Sequence, residues 1–326
     1  MNPILSAKNL SKTFQIPVKQ TGFIGGIKNI VNPHYREFKA VKSLDLTINS
    51  GEKVAFLGPN GAGKSTSIKM FSGILTPTEG ELSVCGYSPV RDRAKLSYKI
   101  GAVFGQVSKL YYHLTPIDTF KLFGRMYDIE NSKLRTRLDW LIESFEIEEF
   151  LHTPVRKLSL GQRMRAEVVA SLIHSPEILF LDEPTIGLDM IAKSKLRDVI
   201  NTINATENTT VLLTSHDIGD IEEVCDRVVI IAQGGIVYDG SLKALKHDHV
   251  KSKSITLRFE EPTVLIPRSG IEIVSSDLYH AELSIPNTTK DLKNTLTHLL
   301  DTYSIEDLSV TEPDTETIIK SFYTTP

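Results

Sequence analysis

The stretch GPNGAGKS, residues 58–65, decides how the chain is read. It has the form G-x-x-x-x-G-K-S and lies between an apolar, strand-like run at 53–57 and a helix-like segment at 64–71. A strand–loop–helix of this kind turns successive backbone N–H groups and a helix N-terminus toward one point, which suits phosphate oxygens. Gly58, Gly61 and Gly63 allow the backbone angles and close approach that side chains would block, with Pro59, Asn60 and Ala62 between them. Lys64 is expected to reach the β- and γ-phosphates and Ser65 to ligate magnesium, with Thr66 next on the helix. A second stretch, FLDEP at 180–184, ends an apolar run in two carboxylates. Asp182 is expected to hold the magnesium and Glu183 to polarise the attacking water. Together the two stretches imply that a nucleoside triphosphate is bound with magnesium and hydrolysed.

Working outward, residues 41–48 alternate in polarity and lead through Ser50-Gly51 into the loop strand. Upstream, residues 4–14 are strand-like and end in the aromatic Phe14. Residues 16–39 are irregular, with two prolines and the basic Lys19, Lys28, Arg36, Lys39 and, when protonated, His34. They are expected to form an ordered insertion carrying a short helix at 27–31. Its basic and apolar mix suits a membrane surface or partner subunit as well as a solvated loop. Downstream, an apolar run at 100–104 precedes Gln106, and residues 116–127 and 134–147 have helical spacing, suggesting a helical insertion. LSLGQRMR at 158–165 opens another helix, with Ser159 as its N-cap. After the two carboxylates come TIGLDM, a helix at 192–203, and a β-branched strand at 210–214 that delivers His216. A histidine at a strand end beside two phosphate-binding strand ends is expected to act on the ligand.

Composition agrees with a soluble globular protein of one large or two modest domains: 326 residues, 40% apolar and 24% charged. A net charge of −3 gives no reason to expect a nucleic-acid partner. Cys85 and Cys225 are far apart and read as thiols in a reducing compartment. No apolar stretch approaches the roughly 20 residues that cross a bilayer, and no long apolar block opens the chain. The expected place is the cytosolic side of the membrane, reached through a partner.

The set of motifs resembles the ATP-binding cassette of ABC transporters over residues 4–245, with six motifs in the family's order. GPNGAGKS matches the Walker A loop, Gln106 the Q-loop, LSLGQ the signature, ILFLDE the Walker B with its glutamate, IGLD the D-loop, and His216 the switch histidine. The resemblance implies an α/β P-loop NTPase fold with a helical subdomain at about 107–175. It also implies that Gln106 meets the nucleotide and its magnesium, that an aromatic at Phe14 (or Tyr35 or Phe38) stacks on adenine, and that His216 positions the γ-phosphate. Two cassettes then pack head to tail, so that Ser159, Gly161 and Gln162 of one face the ATP held by the other. Two departures stand out: Leu160 replaces the usual glycine, and Ile186 and Met190 replace small residues or proline. The pattern is similar to exporter-type bacterial cassettes whose permease is a separate polypeptide, and Tyr111, Tyr112, Leu114 and Thr115 are candidates for that contact.

Residues 246–326 read as a small α+β accessory domain, with alternation at 255–259 and 279–285 and helices near 292–300 and 315–322. Cassette dimerisation is its favoured role. Three rivals are considered. An importer ATPase would be gated by ligand binding to the tail. A ribosome-acting cassette protein would carry two cassettes. A DNA-repair or chromosome ATPase would interrupt the cassette with a coiled coil, whereas only 94 positions separate Ser65 from Ser159.

Overall fold

The structure is a computed structural model that describes residues 3–17, 35–105, 108–215, 217–249, 252–266, 271–286, 289–311 and 315–324. The chain divides into two compact units, Met1–Gly240 and Ser241–Pro326.

The first unit runs β1 (Leu5–Pro17), β2 (Tyr35–Ile48), β3 (Lys53–Leu57), α1 (Lys64–Phe71), β4 (Glu79–Val84), α2 (Arg93–Ser97) and β5 (Ile100–Phe104). Three helices follow, α3 (Pro116–Met126), α4 (Asn131–Phe145) and α5 (Leu160–Leu172), and then β6 (Ile178–Asp182), α6 (Met190–Glu207) and β7 (Thr210–Thr214). The unit closes with α7 (Ile218–Val224), β8 (Arg227–Ala232) and β9 (Gly235–Ser241), the last reaching the division itself. Six strands form one sheet in the order β5-β6-β7-β3-β8-β9, and β2-β1-β4 form a second, antiparallel one.

The sheet order places the site. β3 pairs in parallel with β7 and β8, and β6 lies in parallel between β5 and β7. The loops that follow β3, β6 and β7 therefore leave one edge of the sheet, where open α/β sheets bind ligands. The strands KVAFL, ILFLD and TVLLT are buried almost throughout, as expected for parallel strands covered on both faces. Phe71 locks α1 onto the sheet: its ring lies 6.2 Å from Phe56 on β3 and 6.4 Å from Phe180 on β6. All three rings are fully buried, and each contributes about 1.5–3 kcal/mol through burial.

Sequence and structure differ at the start of the chain. β1 continues to Pro17 and β2 begins at Tyr35, in register from Phe14↔Phe38 to Pro17↔Tyr35. Both flanks of the expected insertion are thus paired strands. They carry no polarity alternation because most of their residues are exposed on either face. The helix expected at 27–31 lies outside the described residues.

The second unit holds α8 (Leu242–His249), β10 (Ser252–Phe259), β11 (Glu272–Ser276), β12 (His280–Pro286), α9 (Thr289–Thr302), β13 (Ile305–Thr311) and α10 (Thr315–Thr324). Its sheet has the order β11-β12-β10-β13 around a core of Ile255, Leu257, Phe259, Ala281, Leu283, Ile285 and Leu299. This unit begins at Ser241, and within it α8, on which Leu242 and Leu245 are buried, contacts α10.

Candidate functional site

Two glycines of the loop, Gly58 and Gly63, sit where contacts leave no room for a side chain, whereas Gly61 faces open space at φ +81. A Cβ on Gly58 would sit 2.2 Å from the Ile231 carbonyl oxygen, and one on Gly63 2.5 Å from that of Ala40. Gly63 also has φ +108 as it starts α1, a backbone region costly for residues with side chains. Pro59 is half-buried and Asn60 exposed, Ala62 is buried, and Ser65 and Thr66 lie half-buried on the first turn of α1.

Lys64 is 8% exposed, and its Nζ donates to the Gly58 carbonyl at 2.6 Å and to that of Pro59 at 3.2 Å. Burial lowers its pKa, while the carboxylates of Glu183 and Asp182 pull it back up. The lysine is thus held by its own loop within the field of the two acids. Ser65 Oγ donates to Asp182 Oδ1 at 3.3 Å, so two hard oxygen donors meet at the mouth of the loop. Ion-binding clusters of three or more His, Cys, Asp or Glu are absent among the described residues. Two oxygen donors beside a phosphate site suit Mg2+, which keeps several waters and shares its shell with phosphates. Glu183 follows Asp182 in the left-handed region, φ +55, with its N–H donating to the carbonyl and hydroxyl of Thr214.

Ser159 caps α5: its Oγ accepts from the Gln162 N–H at 3.2 Å, while its own N–H donates to Gln162 Oε1 at 3.0 Å. This capping box fixes the first turn. Among the described residues, no hydrogen bond joins Ser159, Gly161 or Gln162 to the glycine loop or the two acids. The structure therefore brings Lys64, Ser65, Asp182 and Glu183 together within one chain, and the described hydrogen bonds do not join the Ser159 turn to them. Gln106 and His216 lie outside the described residues, but their neighbours are anchored. Gly105 N–H donates to the Asp182 carbonyl at 3.0 Å. Asp217 bonds Lys193 of α6 at 2.6 Å, which lowers the carboxyl's pKa.

Phe14 and Phe38 are direct cross-strand partners on the β1–β2 ribbon, so their rings share a face. Phe14 is half-buried with Lys12 Nζ 5.3 Å from its ring centre, and Phe38 is 48% exposed. The same ribbon meets the loop two residues further on, where the Ala40 carbonyl faces Gly63. Tyr35 pairs with Pro17 at the ribbon's far end.

Residues 41–186 match the family model described as ABC transporter. The ABC transporter ATP-binding protein NatA of Bacillus subtilis is 34% identical over 207 residues, 64% of this chain and 84% of that protein. The chain belongs to the ATP-binding proteins of ABC transporters. The daunorubicin resistance ATP-binding protein DrrA3 of Streptomyces coeruleorubidus is 35% identical over 261 residues, 78% of this chain and 81% of the relative. Among solved structures, the cassette MJ0796, described as a dimeric post-hydrolysis state bound to ADP and Pi, superposes with a TM-score of 0.61. That match has 26% identity and covers 73% of this chain and 98% of the other. The cassette fold, ATP binding and ATPase activity follow from this membership. Among the described residues, no helix is long and apolar enough to cross a membrane.

Three features of the cassette escaped the sequence. Glu167, 5% exposed on α5, accepts hydrogen bonds from the Ser108 hydroxyl and the Lys109 N–H, tying the segment after Gln106 to the signature helix. Leu160 packs on the D-loop: a Cβ on Gly187 would lie 2.3 Å from Leu160 Cδ2. Thr214 contacts both acids. Leu160 stood out in the sequence as a departure, but its packing on Gly187 did not, and no residue-type signal marks Glu167 or Thr214, since each depends on partners remote in sequence.

Proposed function

We propose that the cassette is the motor of an exporter: it binds ATP between two copies of itself and drives a separate membrane permease from the cytoplasmic face. The observation that carries this reading is the incomplete site. Lys64, Ser65, Asp182 and Glu183 converge, while the Ser159 turn, a helix N-terminus, has no hydrogen bond to them among the described residues. A second cassette placed head to tail supplies that helix end to the γ-phosphate, whose negative charge suits it.

Gly58 through Gly63 present backbone N–H groups to the phosphates, Lys64 exchanges its carbonyl partners for the β- and γ-phosphates, and Thr66 lies behind on α1. Ser65 and Asp182, with Gln106, hold Mg2+, which when bound neutralises charge developing on the phosphate oxygens. Glu183 takes up the proton of the attacking water and His216 orients the γ-phosphate. Adenine stacks on the Phe14/Phe38 pair. Export rather than import is supported by relatives described as daunorubicin resistance and Nod factor export proteins. The exposed Tyr111, Tyr112 and Leu114, with Thr115 capping α3, form the permease contact, and the second unit assists cassette dimerisation.

Glu183→Gln tests the chemistry. It is expected to abolish ATP turnover while leaving ATP affinity within about threefold of wild type, because the carboxylate acts on water rather than on the bound phosphates. Full turnover by this variant would refute the role of Glu183.

A further inference from the structure

Thr214 ends β7 directly beside Asp182 in the parallel ladder. Its side chain is fully buried, where a β-branched residue needs no hydroxyl to fill a strand position. Yet the Oγ1–H donates to Asp182 Oδ1 at 2.7 Å, and the same oxygen accepts the Glu183 N–H at 3.0 Å. The direction is forced, because an ionised carboxylate only accepts and a backbone N–H only donates. The Thr214 carbonyl accepts from that N–H as well, at 3.1 Å.

The two consequences differ. At Asp182, the hydroxyl occupies Oδ1, the oxygen that Ser65 also approaches, and so fixes the rotation of the carboxyl group. Among the described residues no hydrogen bond reaches Oδ2. At Glu183, the N–H anchor holds a non-glycine residue at φ +55, a conformation that persists only where its surroundings fix it.

We propose that Thr214 is a positioning residue for hydrolysis: one buried hydroxyl sets the aim of the carboxylate that holds magnesium and the backbone of the glutamate that activates water. Thr214 bonds Asp182 Oδ1 and the Glu183 backbone but has no hydrogen bond to the glycine loop among the described residues, so it acts on turnover and ion binding rather than on capture of the nucleotide. This inference rests on the roles proposed above for Asp182 and Glu183.

The test compares wild type, Thr214→Val, Thr214→Ser and Glu183→Gln in the full chain. It measures steady-state ATP turnover and, separately, Mn2+ binding with ADP by electron paramagnetic resonance. Thr214→Val keeps the shape and removes the hydroxyl, so kcat is expected to fall by about ten- to a hundredfold and Mn2+ affinity by about tenfold. KM for ATP should stay within about twofold. Thr214→Ser keeps the hydroxyl and should return both quantities to within about threefold of wild type. Wild-type kcat and Mn2+ affinity in Thr214→Val would overturn the inference. So would equal losses in the Ser and Val variants, which would assign the effect to packing. If Thr214→Val does not fold, Thr214→Cys, with its weak S–H donor, replaces it: values between those of Ser and a tenfold loss support the inference, and wild-type values overturn it. An inactive Glu183→Gln beside a wild-type-like Thr214→Val would refute only this inference, whereas an active Glu183→Gln would refute the reading beneath it.

Discussion

Replacing Glu167 by alanine should loosen the join between the segment after Gln106 and the signature helix. The carboxylate is 5% exposed and accepts the Lys109 N–H at 2.9 and 3.1 Å on its two oxygens, the Ser108 hydroxyl, and the Leu110 N–H at 3.4 Å. Leu110 retains a second acceptor in Ser108 Oγ at 3.2 Å, and Ser108 is exposed enough to find water. The principal loss is the doubly accepted, charge-assisted bond from Lys109, together with the buried stem of the glutamate. Such bonds contribute about 1.5–3 kcal/mol and the buried methylene lost adds about 0.8, so Glu167→Ala should destabilise the cassette by about 3 kcal/mol. Glu167→Gln keeps one accepting oxygen and should cost about half that. For a unit of this size about 3 kcal/mol lowers the thermal midpoint by roughly 6–12 °C. The single tryptophan, Trp140 on α4, reports unfolding of the first unit without contribution from the second. A midpoint shift below about 2 °C for Glu167→Ala would refute the reasoning.

Two further outcomes follow from the first unit. His174 stacks on Tyr127 with ring centres 4.0 Å apart, its Nε2–H donates to the Ile100 carbonyl at 2.9 Å, and its buried Nδ1 has no partner among the described residues. Burial depresses its pKa to about 4, below the ordinary 6.5. The unfolded chain therefore binds the proton more readily, and the stability from neutral His174 is complete above pH 6.5 and lost as pH falls toward 4. His174→Phe should flatten the pH dependence of unfolding by about 3 kcal/mol across that window, and identical profiles in urea titrations would count against it. Gly187→Ala places a methyl group 2.3 Å from Leu160 Cδ2 at φ +76, so ATP turnover should fall by about tenfold or more through the displaced signature turn. Adding Leu160→Ala should recover part of it, and a double variant no better than the single one would separate the two residues.

Much of the cassette was legible because its chemistry is local. A glycine loop between a buried strand and a helix, and two carboxylates at the end of an apolar run, carry their meaning in consecutive residues, and both stretches form the expected elements. Remote partnership was not legible. Thr214 reads as an ordinary β-branched strand residue until the ladder sets it beside Asp182. Glu167 reads as a polar interruption on a largely buried helix until the chain folds Lys109 onto it. The ribbon flanks at 15–17 and 35–39 were hidden for a different reason: strands exposed on both faces leave no alternation to read. β11 was missed likewise, being short, edge-lying and mostly exposed.

The central claim is that the site is completed by a second molecule. It is tested by the ATP retained after rapid desalting when two inert chains are mixed, each carrying Glu183→Gln to stop turnover. One also carries Lys64→Ala and the other Ser159→Phe. Each alone lacks one half of every site, whereas a mixed dimer holds one complete site, formed by the loop of the Ser159→Phe chain and the signature of the Lys64→Ala chain. The account predicts that neither chain retains ATP alone and that the mixture does. Full retention by the Ser159→Phe chain alone, or none by the mixture, would contradict it.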